Sequence, residues 1–197
     1  MRPILAIVFL CCWLPLSGCG SLLASMQMDS IEDHPKERTV AQVIEDNNIE
    51  TKITVNLHAE NEAYDDAHLI VVSYNGYVLL AGQVNDEPLK AGATEVARKV
   101  KGVRRIYNEL EIGPPTSAIQ RSKDTWITGR IKTELVADSN IEGTRIKVVT
   151  ENGVVYLMGI VSPPEADLVS GVAANVTGVS RVVRLFEPIN QPGAEKP

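Results

Sequence analysis

Few residues of this 197-residue chain have both the type and the spacing to do chemistry. The three histidines, His34, His58 and His68, lack the fixed spacing of zinc ligands and read as solvated or packing residues. Glu60, Glu62, Asp65 and Asp66 crowd one stretch where paired carboxylates could move a proton or hold calcium. Their spacing matches no calcium loop, so a solvated acidic loop is the reading they support. The sequence contains no glycine-rich phosphate cradle, nucleophile elbow or Cys/His pairing. It calls for no catalytic residue, no metal and no cofactor, and is read as a non-enzyme.

What remains is recognition chemistry, concentrated in "DTWITGRIKTEL", residues 124–135. Ile127, Ile131 and Leu135 recur at i, i+4 and i+8, which makes one apolar stripe of a helix. Trp126 lies well away from that stripe, beside Gly129, Thr133 and Val136, with Arg130 and Lys132 on its flanks. Residues 121–133 hold Arg121, Lys123, Arg130 and Lys132 against Asp124 alone, a local charge of +3 on a chain whose net charge is −6. The overall acidity argues against a nucleic-acid partner, whose phosphates need a net supply of cations. A tryptophan ring at headgroup depth, with cations near an anionic leaflet, suits shallow docking on anionic phospholipid. The expected phospholipid-binding residues are Trp126, Gly129, Arg130, Lys132, Thr133 and Val136. Burial of Trp126 between two halves of the protein is the competing reading, because tryptophans are usually well buried.

At the amino terminus, Arg2 precedes the apolar run "ILAIVFLCCWLPL", residues 4–16, which has the length of a secretory h-region and is short for a membrane span. Leu16-Ser17-Gly18-Cys19 follows and resembles the lipobox of bacterial lipoproteins, in which the cysteine is acylated, palmitate being a typical chain, and becomes the first residue. Residues 1–18 are then a signal peptide, and Cys19 is the single cysteine of the mature chain, which leaves no disulfide. Gly20, in place of the aspartate that retains such proteins in the inner membrane, points to the outer membrane, with the folded part facing the periplasm. Stable anchoring needs about two lipid chains. Residues 19–38 read as a tether.

The remainder repeats itself. At an offset of 78 residues, "DNNIETKITVNL" lies over "DTWITGRIKTEL", matching Asp46 with Asp124, Ile49 with Ile127, Lys52 with Arg130, Ile53 with Ile131 and Leu57 with Leu135. Asn48 occupies the place of Trp126, so the common core does not require the tryptophan. Each copy continues with two β-branched runs broken by a tight Asn-Gly turn, Asn75-Gly76 and Asn152-Gly153. Gly82 and Gly159 sit inside the second strand, where a bulge or close approach is expected, with a helix crossing there. A proline-started helix ending at Gly102 or Gly178, and a last strand, complete each copy.

The expected fold is α+β: two α-β-β-α-β units, each a three-stranded mixed sheet with helices on one face. The boundaries are 39–113 and 124–190, joined by an extended linker at 114–123 and ending in a frayed tail at 191–197. The Pro114-Pro115 pair leaves open whether the units are held apart or docked.

The element order, the Asn-Gly hairpin, the Gly-x-Val closing the second strand and the Gly-Val before the last strand resemble the BON-domain family, over roughly residues 39–190. That resemblance implies a non-enzymatic phospholipid-binding protein that supports envelope integrity and gathers at division sites. It also leaves room for periplasmic or outer-membrane protein partners. The alternative is a protein-interaction scaffold that touches the membrane only through its acyl anchor.

Overall fold

A computed structural model describes residues 38–189. The expected signal peptide, Cys19, His34, the expected tether up to residue 37, and residues 190–197 with the expected tail lie outside the described residues. The first repeat runs α1 (Val40–Glu60), β1 (His68–Tyr74), β2 (Tyr77–Val84), α2 (Glu87–Arg98) and β3 (Arg105–Ile112). The second runs α3 (Ala118–Ala137), β4 (Lys147–Glu151), β5 (Val154–Met158), β6 (Ile160–Val161), α4 (Pro163–Ala174), β7 (Arg181–Arg184) and β8 (Glu187–Pro188). Single 3-10 turns at Glu62–Tyr64 and Gly143–Arg145 follow the two long helices.

Both sheets are mixed, as expected. β1 pairs antiparallel with β2, and β2 pairs parallel with β3. β4, β5 and β7 repeat that order. The hairpins turn through Asn75-Gly76 and Asn152-Gly153 with positive φ at both residues, 52° and 73° in the first and 50° and 76° in the second. This is the backbone that a two-residue turn needs to match the twist of its strands.

Beneath each turn lies a buried carboxylate. Asp46, on α1, accepts hydrogen bonds from Ser73 Oγ at 2.6 Å, the Gly76 amide at 2.9 Å, the Asn75 amide at 2.8 Å and Arg38 Nη1 at 2.8 Å. Asp124, on α3, accepts from the Gly153 amide at 2.9 Å, the Asn152 amide at 3.0 Å and Gln120 Nε2 at 3.0 Å. Burial alone would raise the Asp46 pKa, but the Ser73, Gly76, Arg38 and Asn75 donors outweigh it and hold the group below its ordinary value of 3.8.

The helical stripes land where the periodicity puts them. Ile49, Ile53 and Leu57 are buried with Val78, Leu80, Leu110 and the apolar side of α2. Ile127, Ile131 and Leu135 are buried with Val155, Leu157, Val169 and Ala173. A third apolar layer was not anticipated. Val72, Tyr74, Leu79 and Ala81 of the first sheet pack on Val154, Tyr156 and Met158 of the second and on Ile160 of β6. The sheets are therefore back to back, with the helices outside. The layer is dry enough that burial, assisted by the charge of Glu109, pushes the Tyr156 hydroxyl up to about 12.

Two glutamates tie its margins. Glu187 receives Arg104 Nη2 at 2.6 Å and Asn75 Nδ2 at 2.6 Å. Glu151 receives Gln83 Nε2 at 2.9 Å and Thr116 Oγ1 at 3.0 Å, and faces His68 Nε2 at 3.3 Å.

Four expectations need correction. The linker is not extended across 114–123: α3 starts at Ala118, N-capped by Ser117, whose side chain accepts from the Gln120 amide. The ends of α2 and α4 fall short of Gly102 and Gly178, with Lys99 and Asn175 as C-caps. No helix crosses at Gly82 or Gly159. Gly82 takes φ +109°, and a Cβ there would stand 1.9 Å from the carbonyl oxygen of His68 on the neighbouring strand. Gly159 breaks the second strand into β5 and β6, and its nearest neighbour is the flexible Ile146 Cδ1, 3.1 Å from where a Cβ would be. Finally, the last strand of the second repeat is two pieces, β7 on β5 and β8 on β6.

Asp46→Ala should strand the Asn75 and Gly76 amides and cost about 3 kcal/mol in denaturant unfolding. Because its folded pKa is lowered, the stability that Asp46 contributes is full above the ordinary value and lost as pH falls through the lowered one. Acidification should therefore destabilise the native chain more than the alanine variant. A second comparison separates the strand glycines. Gly82→Ala should lower the free energy of unfolding by well over about 2 kcal/mol, since backbone must move, whereas Gly159→Ala should cost about 1 kcal/mol or less.

Candidate membrane-contact face

The core stripe of α3 fixes what the opposite side of that helix shows. With about 100° between successive residues, Ile127, Ile131, Leu135 and the buried Asp124 point inward. Ile119, Trp126, Gly129, Thr133 and Val136 follow one another along the outer side. Ile119 is 72% exposed, Trp126 59% and Val136 60%. The reading that places Trp126 between the repeats is thereby overturned, because the repeats meet through their sheets and leave α3 on the outside.

Gly129 has no heavy atom within 4 Å of where a Cβ would stand, so the indole ring has an open neighbour along the stripe. The Thr133 hydroxyl donates to the Gly129 carbonyl at 2.9 Å, which removes its polarity from the surface. Cations border the stripe on both sides: Lys123 and Arg130 along one edge, Arg121 and Lys132 along the other. Arg130 is not fully available, since its Nε donates to Glu134 Oε1 at 2.7 Å. Arg121, Lys123 and Lys132 are exposed and make no ion pair among the described residues.

The six residues expected at the site, Trp126, Gly129, Arg130, Lys132, Thr133 and Val136, therefore all lie on exposed parts of one helix, Lys132 at its margin. Two features escaped the sequence reading. Ile119 was assigned to the linker, although it stands two helical turns before Trp126 and so shares its face. An open groove also runs beside the indole, lined by Ile119, Lys123, Trp126, Ile127, Thr177 and Gly178. Thr177 and Gly178 come from the turn after α4, and nothing local in the sequence joins that turn to α3.

The remaining candidates scatter. His58 Nδ1 meets Asp65 Oδ1 at 2.6 Å at the exposed end of α1, and His68 is engaged with Glu151 between the repeats. Glu60, Glu62 and Asp66 are exposed. Among the described residues, no group of three or more His, Cys, Asp and Glu side chains could hold a metal ion, and no helix is long and apolar enough to cross a membrane.

Comparison with known proteins agrees with this architecture. The chain is 34% identical over 176 residues to the outer membrane lipoprotein DolP of Haemophilus influenzae, covering 89% of this chain and 88% of that one. It is 38% identical over 149 residues to the 21 kDa hemolysin of Actinobacillus pleuropneumoniae, covering 76% and 77%. Its identity to the osmotically-inducible protein Y of Escherichia coli is 28% over 146 residues. The model of the BON domain matches residues 45–114 and 123–187, which are the two halves described above. The chain belongs to the BON-domain family and carries that domain twice.

Proposed function

We propose that this protein is a lipoprotein of the outer membrane, held by an acylated Cys19, whose second BON domain docks on anionic phospholipid through the outer face of α3. The observation that carries the reading is the unbroken exposed line Ile119–Trp126–Val136 between two rows of cations. An indole and two aliphatic side chains exposed on a helix with a packed core side are surface without a function in folding. Their arrangement matches a helix lying in the plane of a membrane surface, with apolar groups at headgroup depth and basic groups at the level of the phosphates. Each unpaired cation near an anionic leaflet contributes about 1 kcal/mol before screening.

The first repeat supports the assignment by contrast: at the position of Trp126 it has Asn48, and at that of Lys123 it has Glu45. The lipobox and the likeness to the outer membrane lipoprotein of Haemophilus support this compartment. A role in envelope integrity at division sites is the extension that the BON resemblance suggests. The scaffold alternative draws on α1, where Val40, Ile44 and Val55 are also exposed.

A mature chain with Cys19→Ser lacks the acyl anchor and isolates the contact made by α3. Mixed with vesicles of phosphatidylglycerol in phosphatidylcholine, it should sediment with them and shift its tryptophan emission to the blue. Trp13 is lost with the signal peptide, so Trp126 is the sole reporter. Trp126→Ala should weaken binding about tenfold at every salt concentration, whereas Arg121→Glu with Lys123→Glu should flatten the salt dependence. Sedimentation with no anionic preference and an unmoved emission would favour the scaffold. In cells, Cys19→Ser should release the protein to the soluble periplasmic fraction or leave it as uncleaved precursor. Fatty-acid labelling of that variant would contradict the anchor.

A further inference from the structure

The edge of α3 that carries Lys132 faces the first repeat across a concave pocket lined by Arg38, Tyr74, Lys132, Val136, Thr144 and Lys147. Its walls come from both repeats. Tyr74 belongs to the first, and Arg38, which directly precedes that repeat, stacks its guanidinium 3.8 Å over the tyrosine ring and also donates to Asp46. The Tyr74 hydroxyl donates to the Arg145 carbonyl at 2.8 Å, which fixes this wall against the floor of the pocket.

The charges at the pocket are unequally committed. Arg38 is matched by Asp46, and Arg145 by Glu142 at 2.6 Å and Glu165 at 3.6 Å. Lys132 and Lys147 have no ion-pair partner among the described residues. An anion entering here therefore meets two ammonium groups whose charge is unspent, together with the Thr144 hydroxyl. The cavity is about 250 Å³, smaller than the roughly 300–1,000 Å³ of sites that engulf a whole small molecule. That size suits the head of an amphiphile and excludes its chains. Val136 supplies the other half of the amphiphile's requirement, because it lines the pocket and also ends the apolar stripe that starts at Ile119.

We propose that this pocket binds the phosphodiester of one anionic phospholipid headgroup, with Lys132 and Lys147 pairing the phosphate and the glycerol backbone passing over Val136 toward the stripe. The proposal rests on the reading that α3 lies on a membrane, and it adds a discrete subsite to a diffuse surface. The docked repeats complete its shape, because Tyr74 of the first walls a pocket whose lysines come from the second.

The test uses the mature Cys19→Ser chain and two probes. Glycerophosphoglycerol, the water-soluble head of phosphatidylglycerol, should shift the amide resonances of residues 143–147 in the native sequence and leave them unmoved in Lys147→Gln. On phosphatidylglycerol vesicles, Lys147→Gln and Lys132→Gln should each reduce the preference for anionic over neutral lipid about fivefold. The blue shift of Trp126 at saturation should persist in both. A matching amide spectrum outside residues 143–147 shows that the variant is folded. Equal shifts with inorganic phosphate would make this a free-phosphate site and overturn the lipid assignment. Headgroup shifts and vesicle preference unchanged in Lys147→Gln would overturn the pocket and leave the Trp126 contact standing. Conversely, a silent Trp126 with headgroup shifts at 143–147 would sink the docking of α3 and support the pocket.

Discussion

In each repeat a buried aspartate on the first helix receives the amides of the hairpin turn, and the rest of the domain is arranged around that contact. Taking a carboxylate out of water is costly unless several donors replace the solvent. The Asn-Gly turn provides two, because positive φ at both residues aims successive amides in one direction. The contact fixes both the height and the rotation of the helix over its sheet. Once Asp124 is pinned under Gly153, Ile127, Ile131 and Leu135 must face the sheet and Trp126 must face away. The candidate membrane face is thus a geometric consequence of a carboxylate on the other side of the same helix.

The same constraint repeated twice would make two independent domains. Their union comes from the strands, which are apolar on both sides as strands buried from two directions must be. Helices cover one side of each sheet, and the other side finds its cover in the second repeat. The polar margins reinforce the choice: Glu151 and Glu187 each gather donors from the opposite repeat. Back-to-back sheets keep α1, α2, α3 and α4 on the outside, so α3 can meet a flat surface without the first repeat intervening.

Duplication also separates what folding needs from what recognition needs. The buried aspartate, the hairpin turn and the three-residue core stripe occur in both halves, as does a cation at the place of Arg130, which is Lys52 in the first, while the indole and the cations Arg121, Lys123 and Lys132 occur in one. Asn48 and Glu45 show that the outer side of this helix is free to vary. The second half has used that freedom for apolar and basic residues, and the first has kept acids beside its own apolar ones.

Periodicity and turn chemistry alone determined the element order, the mixed sheets, the inward stripe and the place of Trp126 off that stripe. These depend on residues within a few positions of one another, where backbone geometry leaves little choice. That Trp126 faces outward rather than the other repeat was decided by the packing of sheet on sheet. The paired aspartates were visible as a match between repeats, but their meaning was not, since the amides that satisfy them lie 28 to 30 residues away. Ile119 was misplaced for a local reason: Pro114-Pro115 suggested an extended linker, and the cap at Ser117 restarts the helix sooner than that pair implies. The sheet-to-sheet layer, the groove formed with Thr177 and Gly178, and the pocket joining Arg38 to Lys147 belong to tertiary structure alone. Each unites residues distant in the chain, and apolar burial, which is indifferent to sequence separation, decides which of them meet.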